Sequence, residues 1–137
     1  MKLPHRIKLR HLLVLLWSGA AAGAHADDSV ASGAQIFSHI CQGCHMSEGQ
    51  GAVGAGHYPK LAGDPALVSW EYVALTVLNG KNGMPGFGFS SDEFIFGSAS
   101  LSDAEVAAVV NYVRIRFGHQ AKAAATATQV AALPHPH

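Results

Sequence analysis

The residues of this chain best placed to do chemistry are two cysteines and the histidine that follows them. Cys41-Gln42-Gly43-Cys44-His45 is a C-x-x-C-H pentapeptide. Cysteines at i and i+3 present two thiols about one helical turn apart, which suits thioether bonds to the two vinyl groups on one side of a haem. The adjacent His45 imidazole is then placed to meet the iron from one face. Three other chemistries use similar residues. A disulfide between Cys41 and Cys44 would close a loop too small to stabilise much. A thioredoxin-like redox pair needs a βαβ setting, for which the sequence carries no signal. A zinc site needs further ligands; His39 or His57 could be recruited, but their spacing does not suggest it. Covalently bound haem fits the pentapeptide best.

With His45 on one axial position, the other needs a ligand from the opposite side. Thioether sulfur is soft, and Met paired with His is the ligation of electron carriers of raised potential. The three methionines are Met1, Met46 and Met84. Met1 lies in the leader described below, and Met46 adjoins His45 and cannot reach the far face. Met84, between Gly83 and Pro85, is the candidate. A gap-filling core role is the alternative for this residue, and His57 and His119 are alternative ligands. An iron with both axial positions filled by protein does not readily bind substrate or oxygen, so outer-sphere electron transfer is expected and chemistry at the metal is disfavoured. No Ser–His–Asp or paired-carboxylate spacing is present, and no catalytic residue is assigned.

Three helical stretches are available to position these groups. The first runs from about Ser29 to Ile40, with Val30, Gly33/Ala34, Phe37 and Ile40 at helical spacing. The second is expected over 65–79, with Asp64 as N-cap, Pro65 at the first helical position and Gly80 at the stop. The third is expected from Asp103 to about Phe117. Ser102 and Glu105 form an S-x-x-E capping box there, and Val106, Val109/Val110, Val113 and Phe117 form an apolar stripe. A glycine-rich loop joins the first two, and a second irregular stretch, 81–100, carries Met84-Pro85 and Phe94-Ile95-Phe96. A domain of this size with long loops is marginal unless something other than side chains fills its middle.

The chain has 137 residues and is 49% hydrophobic and 13% charged, which excludes a wholly disordered or collagen-like chain and allows one small domain. Its zero net charge conceals a segregation. Lys2, Arg6, Lys8 and Arg10 precede the apolar run from Leu12 to Trp17, and small residues lead to Ala24-His25-Ala26. That pattern reads as a secretory signal peptide over 1–26, cleaved after Ala26. The run is too short and too rich in Ala and Gly to stay as a membrane anchor. The expected mature chain has five basic residues against nine acidic ones, a formal charge of −4. This argues against nucleic acid as a partner and favours basic partner surfaces. A periplasmic location follows, with no stable membrane span after cleavage. The Ala/Thr-rich tail over 119–137 ends in Pro134-His135-Pro136-His137 and is expected to be disordered.

From Ala31 to Gly118 the chain resembles the class I c-type cytochromes. Members carry C-x-x-C-H at the end of an N-terminal helix, a distal Met-Pro, and a C-terminal helix crossing the first. Gly33, Phe37 and Tyr112 stand where the family places its crossing residues. The resemblance implies an all-α fold of three to four helices and long loops around one haem c, within 27–118. It also extends to Tyr58-Pro59-Lys60-Leu61-Ala62-Gly63. Carried over, the Pro59 carbonyl would accept the proximal imidazole's Nδ1–H, and Leu61 would pack on the haem. More narrowly, the YPxLAG segment, NG-x-x-x-MPGFG and LSDAEVAAVVNYVR resemble cytochrome subunits of bacterial periplasmic dehydrogenases for alcohols, sugar acids or aldehydes, which often carry three C-x-x-C-H motifs on a longer chain. This chain has one motif, and an extra stretch, Phe87 to Ala99. The implied role is a mono-haem electron carrier whose partners are redox proteins: a dehydrogenase subunit, a cytochrome or an oxidase. The alternative is a tightly bound subunit of a dehydrogenase complex, with Phe87, Phe89, Phe94, Ile95 and Phe96 either as a docking patch or folded over the haem edge. Trp70, Tyr72 and Lys81 are candidates for holding the haem propionates.

Overall fold

Helices that cross closely need a position without a side chain. In this computed structural model, which describes residue 30 and residues 32–54, 56–88, 99–119 and 124–136, that position is Gly33. A Cβ there would collide with the carbonyl oxygen of Ala108 and lie 2.9 Å from Tyr112 Cβ. Gly33 belongs to the first helix, α1. It is helical over 32–36, widens into a π-turn at Phe37–Cys41, and closes with an α-turn at Gln42–His45. The helix was expected to end near Ile40; it instead carries the whole pentapeptide. It stops at Met46, whose φ of 62° is left-handed. Ring contacts seal the crossing, with centroids 5.6 Å apart for Phe37–Tyr112, 5.0 Å for Phe37–Phe117 and 6.1 Å for Tyr112–Phe117. Such pairs contribute beyond their area burial.

After α1 the chain winds back on itself. Two short strands, β1 (Ala52–Val53) and β2 (His57–Tyr58), pair antiparallel, and the Gly49 carbonyl accepts both the Leu61 and Ala62 N–H groups. The second expected helix is split. Pro65–Val68 forms a 3₁₀ turn capped by Asp64, whose side chain accepts from Ala66 N. Ser69 then has extended backbone and starts α2 (Trp70–Asn79) afresh by accepting from Tyr72 N. A residue that caps well competes with the helix that would run through it.

The last long helix, α3 (Asp103–Arg116), has the expected capping box between Ser102 and Glu105. Its apolar stripe is buried, and so are Ala107, Ala108, Asn111 and Arg114. The wider burial follows from what surrounds it. α1 crosses one face, and a short helix, α4 (Ala127–Ala131), packs on another. This corrects the expectation of a disordered tail, since 124–136 fold back onto α3. Val130 and Ala125 enter the core, and the Asn111 side chain donates to Ala125 O and accepts from Ala125 N. Arg114 donates to the Leu67 and Val68 carbonyls, which places a cation at the end of the 3₁₀ turn. Among the described residues, no helix is long and apolar enough to cross a membrane. The expected signal peptide, and Phe89, Phe94, Ile95 and Phe96, lie outside the described residues.

Candidate functional site

The three long helices do not close on one another completely. Between them lies an apolar cleft, partly open to solvent, of the concave and mostly apolar kind that takes cofactors. One wall carries Phe37, Cys41 and His45 from α1 with Pro59 and Leu61 from the loop that follows. Tyr72, Val73, Thr76 and Val77 from α2, with Met84, make another part of the lining. Val109 and Val113 of α3 line the remaining side, with Asp64 and Leu67. Cys41, His45, Pro59, Leu61 and Met84 are thus brought together. Cys44 is exposed, one residue before His45.

His45 is buried, and its Nδ1 lies 3.1 Å from the Pro59 carbonyl oxygen. A carbonyl only accepts, so Nδ1 must donate. The neutral ring then leaves Nε2 with its lone pair available to a metal. Burial, and secondarily the neighbouring Cys44, pushes the Cys41 thiol up to about 11. A thiol held neutral is the opposite of what a redox pair or a zinc site needs, because both act through thiolate. It fits a sulfur that ends as an uncharged thioether in an apolar wall. Among the described residues no three His, Cys, Asp or Glu side chains gather to hold a metal ion.

Met84 reaches the cleft on a tight turn. Lys81 and Met84 exchange backbone hydrogen bonds of 3.1 and 2.9 Å, and the two residues between them, Asn82 and Gly83, both have positive φ, 50° and 91°. Asn-Gly in that conformation is a strong turn signal, and it would have fixed this loop from the sequence. The turn lies directly on the end of α2, where a Cβ on Gly80 would collide with the Met84 carbonyl oxygen. His57 and His119, the alternative ligands, are exposed and do not line the cleft. Of the three residues suggested for the propionates, only Tyr72 lines the cleft. Lys81 sits against it, with Nζ 2.9 Å from the Tyr72 hydroxyl and 4.6 Å from its ring centroid, while Trp70 packs on the core. Phe87 is buried and belongs to no exposed patch.

Helices around an apolar cleft, with a C-x-x-C-H histidine and a methionine in its lining, define a haem-binding domain of the cytochrome c type. Residues 28–113 match the family described as cytochrome c oxidase, cbb3-type, subunit III, and the chain belongs to this family of class I c-type cytochromes. It is 35% identical over 119 residues to cytochrome c-552 of Thermus thermophilus, covering 82% of this chain and 75% of that one. It is also 35% identical over 130 residues to the gluconate 2-dehydrogenase cytochrome c subunit of Pantoea cypripedii, where 86% of this chain covers 25% of the relative. The chain thus spans about a quarter of that subunit's length. Oxidised cytochrome c6A of Arabidopsis thaliana shares the fold, with a TM-score of 0.52 at 24% identity over 66% of this chain and 92% of that one. Like its family, the chain is an electron carrier with haem c as its cofactor.

Proposed function

We propose that this is a periplasmic mono-haem electron-transfer protein with His/Met axial ligation, taking electrons from a dehydrogenase or another donor and passing them to a downstream cytochrome or oxidase. The observation that carries the reading is that His45 and Met84 both line one apolar cleft, with His45 Nδ1 turned to Pro59. Haem c, when bound, supplies a one-electron couple at its iron. Cys41 and Cys44 would hold it covalently. His45 would ligate through Nε2, with Pro59 fixing the ring and raising its basicity. Met84 would be the second axial ligand, Leu61 would pack on the macrocycle, and the apolar walls would exclude water.

A second reading, a tightly bound subunit of a dehydrogenase complex, is supported by the likeness to the gluconate 2-dehydrogenase subunit and by 29% identity to the cytochrome c subunit of the quinone alcohol dehydrogenase of Gluconobacter oxydans. Co-purification with a large subunit would favour it over the diffusing carrier.

The test is to export the full chain alongside haem-attachment machinery, then record its denatured mass, its reduced spectrum and its response to carbon monoxide. One added haem, sharp c-type bands and no carbon monoxide complex are expected. A coloured protein that binds carbon monoxide would mean an open iron position and reopen an enzymatic role. A colourless protein of unmodified mass would end the reading. An N-terminus at Asp27 in the exported protein would establish the leader.

A further inference from the structure

His45 is gripped at two points by the chain that follows it. Its backbone carbonyl accepts the Gly51 N–H at 3.2 Å, and its ring Nδ1 meets the Pro59 carbonyl oxygen at 3.1 Å. Between these contacts β1 and β2 pair with Ala52 against Tyr58, which brings Gly51 and Pro59 side by side at one end of the pair. The two backbones touch there. A Cβ on Gly51 would collide with the Tyr58 carbonyl oxygen and lie 2.9 Å from both the Pro59 carbonyl carbon and the Lys60 nitrogen. All three of these nearest atoms are backbone, so a side chain at 51 fits only if the Pro59 peptide moves. The φ of Gly51 is also left-handed, at 67°, a conformation open to glycine. Beyond Pro59 the Gly49 carbonyl holds Leu61 and Ala62, which confines any displacement to 58–60. Pro59 is exposed whereas His45 is buried, and a pair of two-residue strands is weak by itself. The fit against Gly51 is what keeps this carbonyl on the ring.

We infer that Gly51 is a positioning residue for the haem ligand: the missing side chain there sets how closely the Pro59 carbonyl approaches His45 Nδ1, and through that hydrogen bond how strongly the imidazole donates to the iron. The inference rests on the proposed ligation by His45. A ring whose Nδ1–H is held by an acceptor is the more basic ligand at Nε2. Stronger donation favours the ferric over the ferrous state, so hydrogen bonding around the ligand is a lever on the potential. A carbonyl pushed back by a side chain at 51 leaves the Nδ1 proton to water, and the potential should rise. The effect is local, because the His45 backbone stays in the last turn of α1 and both cysteines are untouched. Gly63 supplies the comparison within the same loop. Its φ is also left-handed, at 78°, but a Cβ there meets nothing within 4 Å. It has the same backbone requirement without the contact.

The experiment compares the full-length exported holoprotein with Gly51→Ala, Gly51→Asn and Gly63→Ala. It reads the reduced protein by NMR, for the His45 ring resonances and for exchange of the Nδ1 proton with solvent, alongside a redox titration. In the wild type the ring protons should carry the large upfield shift of a haem ligand, and the Nδ1 proton should exchange slowly. Gly51→Ala should speed that exchange several-fold and raise the potential. Gly51→Asn should do the same, since asparagine tolerates the left-handed backbone but still carries the Cβ. Gly63→Ala should lower stability and leave both readouts at their wild-type values. Gly51 variants that match the wild type in exchange overturn the positioning role. Faster exchange at an unchanged potential overturns its effect on the iron. The same changes in Gly63→Ala overturn the assignment to Gly51, because backbone strain alone would then suffice. A Nδ1 proton in rapid exchange in the wild type overturns the contact without any variant. Wild-type ring protons lacking the ligand shift overturn the ligation by His45, and the effect on the potential with it, while Nδ1 exchange still decides the contact.

Discussion

The two walls of the cleft are built in different ways. The His45 wall is held locally: the histidine follows its own cysteines on one helical turn, its ring is fixed by Pro59 fourteen residues on, and its helix is locked at Gly33 by the Phe37, Tyr112 and Phe117 rings. Met84 itself is carried by a single turn resting on the end of α2, and a hydrogen bond from Asn79 ties that helix end to Pro134, 55 residues on. One side is therefore set by close packing and the other by a few polar contacts. On the proposed ligation by Met84, haem attachment and methionine retention are separable properties of this fold.

The largest effect separates them outright. Cys41→Ala with Cys44→Ala should abolish covalent haem, giving an exported protein of unmodified mass, whereas Met84→Ala should keep the haem. The next effect is on the Met84 wall alone. Met84→Ala should bind carbon monoxide in the ferrous state and show a lowered potential in a redox titration, because the soft axial sulfur is gone. A smaller effect probes the crossing. Gly33→Val forces a side chain against the Ala108 carbonyl and should cost about 1–3 kcal/mol or more in denaturant unfolding of the holoprotein, as overpacking does. Asn111→Ala, which orphans the buried Ala125 backbone groups, should cost a similar ~1–3 kcal/mol and raise exchange in the tail before the haem is affected. The smallest is at the α3 cap. Ser102→Ala should cost about 1 kcal/mol. The Ser102 hydroxyl, then its backbone N–H, hold the Glu105 carboxyl below its ordinary value near 4.5. That contribution is present above the ordinary value and lost as pH falls through the depressed one, so Ser102→Ala should also flatten the acid limb of stability against pH.

Much of the local wall could be read from the sequence, because its determinants are adjacent in the chain. The pentapeptide, the Asp64-Pro65 start and the Ser102/Glu105 box each declare themselves within a few residues, and all three stand where expected. The family resemblance brought Gly33, Phe37 and Tyr112 to one crossing, and the structure shows them in contact. The break at Ser69 was hidden because a serine inside a helical pattern is ambiguous until its side chain is seen to cap. The tail was hidden for a different reason. It enters the core with few side chains, and its partner on α3 is Asn111, a polar residue that the apolar stripe does not include. Arg114 reads in the sequence only as a charge, yet it is buried against two carbonyls that lie far from it in the chain. The Asn82-Gly83 turn is legible, because Asn-Gly is a strong turn signal within two residues.

The central claim is that the two walls hold one iron between them, through His45 and Met84. The most direct test is the ferric absorption spectrum of the exported wild-type holoprotein at mildly acidic pH. The account predicts the weak Met-to-iron band, absent from Met84→Ala. Covalent haem with no such band at any pH would contradict it.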